Sequence, residues 1–131
     1  YDPPPPYAGT FRSEGAEPLE VAGRCGNPDY NAMRLTPAQA RYLSDRYDED
    51  VRRVDDALGQ LFAALDALDL WRDTIVIVTA DHGEEFLEHG GIGHGQSLYE
   101  ELTHVPLIGV FPGSPSGLRI SDASMRRRRH G

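Results

Sequence analysis

The sequence has no lysine, a single cysteine, and no apolar run that approaches the length of a membrane span. Each absence excludes something. Cys25 alone closes no disulfide within the chain. The apolar run around Thr74–Thr79 is far shorter than the roughly 20 residues a transmembrane helix needs. All 13 basic residues are arginine, against 21 acidic ones, and the net charge of -8 offers no general basic face for nucleic acid or anionic lipid. No signal peptide is visible and the chain starts at Tyr1, so periplasmic, extracellular and cytoplasmic placements all stay open. What remains is a small acidic chain of 131 residues, the size of one domain.

Residues 1–35 are dense in proline, glycine and small polar residues without periodicity, which predicts an irregular segment lying against a larger body. Thr36 followed by Pro37 predicts a helix start, with Gln39 placed to close a capping box. From Leu43 the apolar residues Tyr47, Val51, Val54, Leu58, Leu61, Phe62, Leu65 and Leu68 recur in steps of three and four, one stripe of a helix over 36–70. Such a helix is about 50 Å long at 1.5 Å per residue, which suits a sheet larger than this chain supplies. Residues 74–79 then place Ile75, Val76, Ile77 and Val78 in succession, the pattern of a strand covered on both faces. A glycine-rich loop over 80–95 leads to a short helix and a strand within 96–111. Helix, strand, short helix, strand indicates an α/β fold with a mostly parallel sheet and flanking helices. Residues 121–131, ending in four arginines, read as a disordered solvated tail.

The chemistry gathers where the strand at 74–79 ends. Ligands of open α/β sheets collect beyond the carboxyl ends of strands. Asp81 and His82 stand there as an adjacent carboxylate and imidazole, a donor pair suited to a divalent cation, and Gly83 permits a tight turn that aims both at one point. An equal reading has Asp81 capping the turn and His82 as a surface group. His89 and His94 are separated by glycines, which rules out the helical spacing of a zinc-protease motif. His94, between Gly93 and Gly95, could donate to an oxyanion or protonate a leaving group, or simply bond loop backbone. Glu84, Glu85 and Glu88 read as solvated charges or caps, and Tyr99, Glu100 and Glu101 as a helix packing by its tyrosine and exposing its acids.

Taken together, "TIVIVTADHGEEF", "EHGGIGHGQSLYEE" and "HVPLIGVFPG", in that order, resemble the sulfatase family of the alkaline phosphatase superfamily. "RYDEDVRRVDDALGQLFAALDALDL" is similar to the family's long helix before its metal-binding strand, and "YDPPPPY" to the segment after an active-site histidine. The resemblance covers residues 1–120 and implies a partial alkaline-phosphatase-like sandwich. It implies that Asp81 and His82 are metal ligands, His82 standing where many sulfatases use asparagine, and that His94 replaces a lysine that contacts the ester. It further implies a divalent metal, calcium first with manganese or magnesium as alternatives, a sulfate ester substrate, and a formylglycine nucleophile. "CGNPD" at Cys25 departs from the nucleophile motif, and the family's N-terminal aspartate pair and a histidine before Tyr1 are not in the chain. The expectation is a piece of a larger sulfuric ester hydrolase, inactive alone. The rivals are a phosphodiesterase or phosphotransferase of the same superfamily and a non-catalytic remnant.

Overall fold

The computed structural model describes residues 1–19 and 34–113. Cys25, the rest of 20–33 and the arginine-rich tail lie outside the described residues. A long helix, α1 (Pro37–Ala67), is followed by β1 (Val76–Thr79), a two-residue hairpin pair β2 (Glu85–Phe86) and β3 (Ile92–Gly93), a one-turn helix α2 (Glu100–Thr103), and β4 (Leu107–Val110).

Local chemistry starts and stops α1. Thr36 is extended and its hydroxyl accepts the Gln39 amide at 3.2 Å, while the Gln39 side chain accepts the Thr36 amide at 3.0 Å. Pro37 occupies the first turn, where its missing N–H costs nothing. At the far end Asp69 takes a left-handed φ of 53°, which breaks the helical repeat, and the Leu68 amide turns back to the Ala64 and Asp66 carbonyls. The 31 residues between extend about 46 Å. Among the described residues no helix is long and apolar enough to cross a membrane.

The core sits at the first turns of α1, where Ala40 and Leu43 pack with Ile92 of β3, flanked by Leu19, Leu35, Phe86 and Leu87. An aromatic trio extends it, with Tyr47 of α1 5.4 Å from Tyr1 edge-on and 5.5 Å from Phe86 between ring centroids. The polar side of these same turns is also buried. Asp45 accepts the Ser13 amide at 2.8 Å and its hydroxyl at 2.7 Å, and Glu49 accepts the Phe11 amide and pairs with Arg46 at 2.8 Å. Two helix carboxylates thus fasten an N-terminal segment that has no regular structure of its own. The Phe11 and Ser13 amides of that segment go to these side chains, while Tyr7, Thr10, Ala16 and Glu17 donate to backbone carbonyls in turns and to α1, because no strand is beside it.

Further along α1 the apolar stripe is open: Val51, Val54 and Leu61 are exposed. So is one face of the β1–β4 sheet, where Ile77 and Leu107 are exposed, and on the other face Ile108 and Val110 of β4 are exposed as well. The sequence pattern of β1 anticipates cover on both faces, and the described residues supply it only in part and on one, where Val76 and Val78 are half-buried.

Among the described residues both strand pairs are antiparallel, and the mostly parallel sheet expected from the sequence is not among them. β1 and β4 are antiparallel, with Val76 opposite Val110 and Thr79 opposite Leu107, and β2 and β3 are antiparallel too. The physical reason is the connection. A parallel return needs a crossover the length of the sheet. Between β1 and β4 the chain instead makes a hairpin and a single helical turn, and it re-enters beside β1 from the end where it left.

Candidate active site

β1 delivers the chain to Asp81 and His82 at its carboxyl end. Gly83 follows in a tight place: its amide donates to the Leu102 carbonyl at 2.8 Å, and a Cβ there would lie 1.9 Å from the Glu101 carbonyl oxygen. Only glycine lets the loop pass so close to α2. The Asp81 carboxylate is 92% exposed, and its Oδ1 accepts the His82 amide at 3.1 Å. The His82 ring places Nδ1 2.8 Å from the Gly83 carbonyl, so Nδ1 carries the proton and donates. In the neutral ring that leaves Nε2 as the lone-pair nitrogen, 3.8 Å from Asp81 Oδ1.

His94 arrives from the other side of the β2–β3 hairpin. It sits between Gly93 and Gly95, both in left-handed conformations with φ of 87° and 91°. Its ring stacks on His82 with centroids 3.8 Å apart and planes 28° from parallel. The fold therefore brings Asp81, His82 and His94 to one place on the surface, although His94 is 12 residues beyond His82 in the chain. His94 Nδ1 lies 2.9 Å from Glu84 Oε1, and the other Glu84 oxygen accepts the Tyr1 hydroxyl.

Two acids read as solvated in the sequence are not. The Glu84 side chain is 9% exposed, and Glu85 is 1% exposed. Glu85 Oε1 accepts the His89 amide at 3.1 Å and the Gly91 amide at 2.7 Å, so a buried carboxylate ties the hairpin loop together. Gly91 packs close beside it, and a Cβ there would meet Glu85 Oε2 at 2.6 Å and oblige the carboxylate to shift. Glu101 is half-buried rather than free: it bonds His89 Nδ1 at 2.5 Å, and His89 stacks on Tyr99 with centroids 3.6 Å apart. Although burial pushes the Glu101 carboxyl up, the bonds from its own backbone amide and from His89 outweigh it and hold the group below the usual carboxylate range. Glu85, His89 and Glu101 present ligand atoms within 4.8 Å of one another, a set able to hold a divalent cation. Their mutual and backbone bonds account for the cluster as a loop clasp. Nothing local in "DHGEE" distinguishes these acids from surface charges, because their partners lie up to 83 residues away.

A sequence model of the Sulfatase family matches residues 2–128, and the chain belongs to that family. It is 37% identical over 89 residues to arylsulfatase K of Homo sapiens, covering 68% of this chain and 16% of that protein. It is 38% identical over 78 residues to iduronate 2-sulfatase of Homo sapiens, covering 60% and 14%. With the multifunctional alkaline phosphatase superfamily protein PehA of Trinickia caryophylli it shares 34% identity over 77 residues, 56% of this chain and 14% of that protein. The chain thus spans about one sixth of the length of the curated relatives it matches. No solved structure gives a significant match. The family is one of hydrolases acting on sulfate esters, generally metal-dependent, with an alkaline-phosphatase-like α/β fold.

Proposed function

We propose that this chain is part of a sulfuric ester hydrolase in which Asp81 and His82 hold a divalent cation and His94 faces the ester oxyanion. The observation that carries the reading is the convergence of a bare imidazole nitrogen, an open carboxylate and a second imidazole at the end of one strand. The donor set fits a cation. With its proton committed to Gly83, His82 offers Nε2 as a lone-pair donor, and a 3.8 Å gap to Asp81 Oδ1 is one that bonds of about 2.0–2.5 Å can span. When bound, the cation supplies Lewis-acid stabilisation of the ester oxygen and orients it for attack. Calcium is the first choice, with manganese and magnesium as alternatives. Two ligands do not fill a coordination sphere, so further carboxylates come from other parts of the protein.

The protein's own residues then perform three tasks. Asp81 adds negative charge at the cation. His82 Nε2 adds a neutral donor whose tautomer Gly83 fixes. With Nδ1–H donated to Glu84, His94 meets the charge that develops on the ester as an imidazolium, through an Nε2–H. The nucleophile, a formylglycine made from cysteine or serine, comes from sequence other than Cys25, and this chain by itself turns over no ester. A second reading, phosphodiester hydrolysis, draws on the similarity to PehA and on an Asp-His donor pair that serves phosphate equally well.

The test uses the intact protein with calcium or manganese and compares turnover of an aryl sulfate with that of an aryl phosphodiester. A higher rate on the sulfate supports the first reading and the reverse supports the second. Calorimetry on Asp81→Ala accompanies it, with an expected loss of roughly tenfold or more in metal affinity. If neither ester is cleaved and Asp81→Ala binds metal as the parent does, the enzyme reading is wrong.

A further inference from the structure

His94 lies in a loop whose backbone does little to orient it. Both neighbours are glycines, so the direction of the ring depends on what its side chain touches. Stacking on His82 fixes the plane of the ring, at 3.8 Å and 28°. It does not fix the ring's direction, because a half-turn about the Cβ–Cγ bond leaves the same plane on the same neighbour while exchanging nitrogen for carbon at each edge. The contact that separates the two orientations is the 2.9 Å approach of Nδ1 to Glu84 Oε1. In the flipped ring a carbon would face the carboxylate and that bond would be gone.

Glu84 is itself held. Its side chain is 9% exposed, its second oxygen accepts the Tyr1 hydroxyl, and Tyr1 packs against Tyr47 and Phe86 at centroid distances of 5.4 and 6.1 Å. Its charge is felt beneath those rings: the Tyr47 phenol is pushed up chiefly by burial and next by Glu84. A carboxylate held at both oxygens is a rigid reference, whereas the solvated acid that the sequence suggests would swing freely.

We infer that Glu84 is a positioning residue that turns a nitrogen of His94, rather than a carbon, toward the ester. This rests on the reading of His94 as the oxyanion-facing group. Glu84 need not touch substrate: it acts through His94, and Tyr1 acts through Glu84. A hydrogen bond to a charged partner biases the two ring orientations by roughly 10- to 100-fold, so its loss leaves a large share of molecules with carbon where nitrogen is needed.

The experiment uses the intact, metal-loaded protein carrying Glu84→Ala or Glu84→Gln, each alone and combined with His94→Ala. With an aryl sulfate, Glu84→Ala is expected to lower kcat about twofold, because without the bias the two ring orientations are about equally populated, while KM is unchanged. Glu84→Gln keeps an oxygen that can accept from Nδ1, so most of kcat returns. In the His94→Ala background, removing Glu84 costs nothing further, which is the signature of one residue acting through another. Nitrogen-15 NMR of the imidazoles gives an arm independent of turnover. A protonated, hydrogen-bonded His94 Nδ1 is expected in the parent and in Glu84→Gln, and its loss in Glu84→Ala. The inference is overturned if Glu84→Ala costs the same factor with and without His94, or if the His94 resonances are identical in the parent and Glu84→Ala. A parent that cleaves no sulfate ester would instead sink the sulfatase reading, and the NMR comparison would then decide the role of Glu84 alone.

Discussion

Asp45 is the point at which the irregular N-terminal segment is fastened to α1, and its removal should be felt there first. The carboxylate is 7% exposed and takes two hydrogen bonds from one residue, the Ser13 amide at 2.8 Å and the Ser13 hydroxyl at 2.7 Å. Hydrogen bonds to a charged acceptor contribute about 1.5–3 kcal/mol each. Both are only part-buried, so water recovers some of that, and we expect Asp45→Ala to weaken the attachment of residues 9–16 by about 2–3 kcal/mol. Ser13→Ala deletes the hydroxyl bond and leaves the amide bond in place, so its cost is about 1 kcal/mol. Hydrogen exchange followed by mass spectrometry reads this locally. At roughly 1.4 kcal/mol per factor of ten, exchange over residues 9–16 should accelerate about 30- to 150-fold in Asp45→Ala and about fivefold in Ser13→Ala, with residues 50–60 of α1 unchanged. The double variant should exchange no faster than Asp45→Ala, because the serine then has no partner left to lose. Exchange in Asp45→Ala within about twofold of the parent would refute the reasoning, since Glu49 and Arg46 would then suffice to hold the segment.

Gly83→Ala should be among the most damaging single changes, because its Cβ would stand 1.9 Å from a backbone oxygen of Glu101 that cannot rotate away. A cost of about 3 kcal/mol or more is expected, read as a fall in thermal midpoint together with loss of metal affinity as the Asp81–His82 turn is pushed off α2. For Glu101 the folded state holds the carboxyl below its ordinary value of 4.5. Its contribution is therefore present above that value and is lost as pH falls through the lower folded one. The difference in thermal midpoint between the parent and Glu101→Gln should be greatest near neutral pH and shrink toward zero in acid. A difference independent of pH would remove the His89 contact as its cause.

What the sequence determined by itself was local. Thr36, Pro37 and Gln39 specify the start of α1 because a capping box closes within one turn, and the repeat from Leu43 onward specifies its length because helix neighbours lie three and four residues apart. The order of "ADHG", "GHG" and "HVPLIGVFPG" was legible for the same reason: each is a short continuous stretch, and together they carry the family. Tertiary structure decided the rest. That β1 pairs antiparallel with β4 depends on how the chain returns across the 27 residues between them, which no periodicity within either strand encodes. That Asp45 and Glu49 are buried depends on a segment more than 30 residues earlier bringing its amides to them. Glu84 and Glu85 are neighbours of one residue type, yet one ends beneath Tyr1 beside His94 and the other inside the hairpin it closes. A carboxylate is written into the sequence, but its partner is a matter of distance in space, and only the packed chain sets that distance.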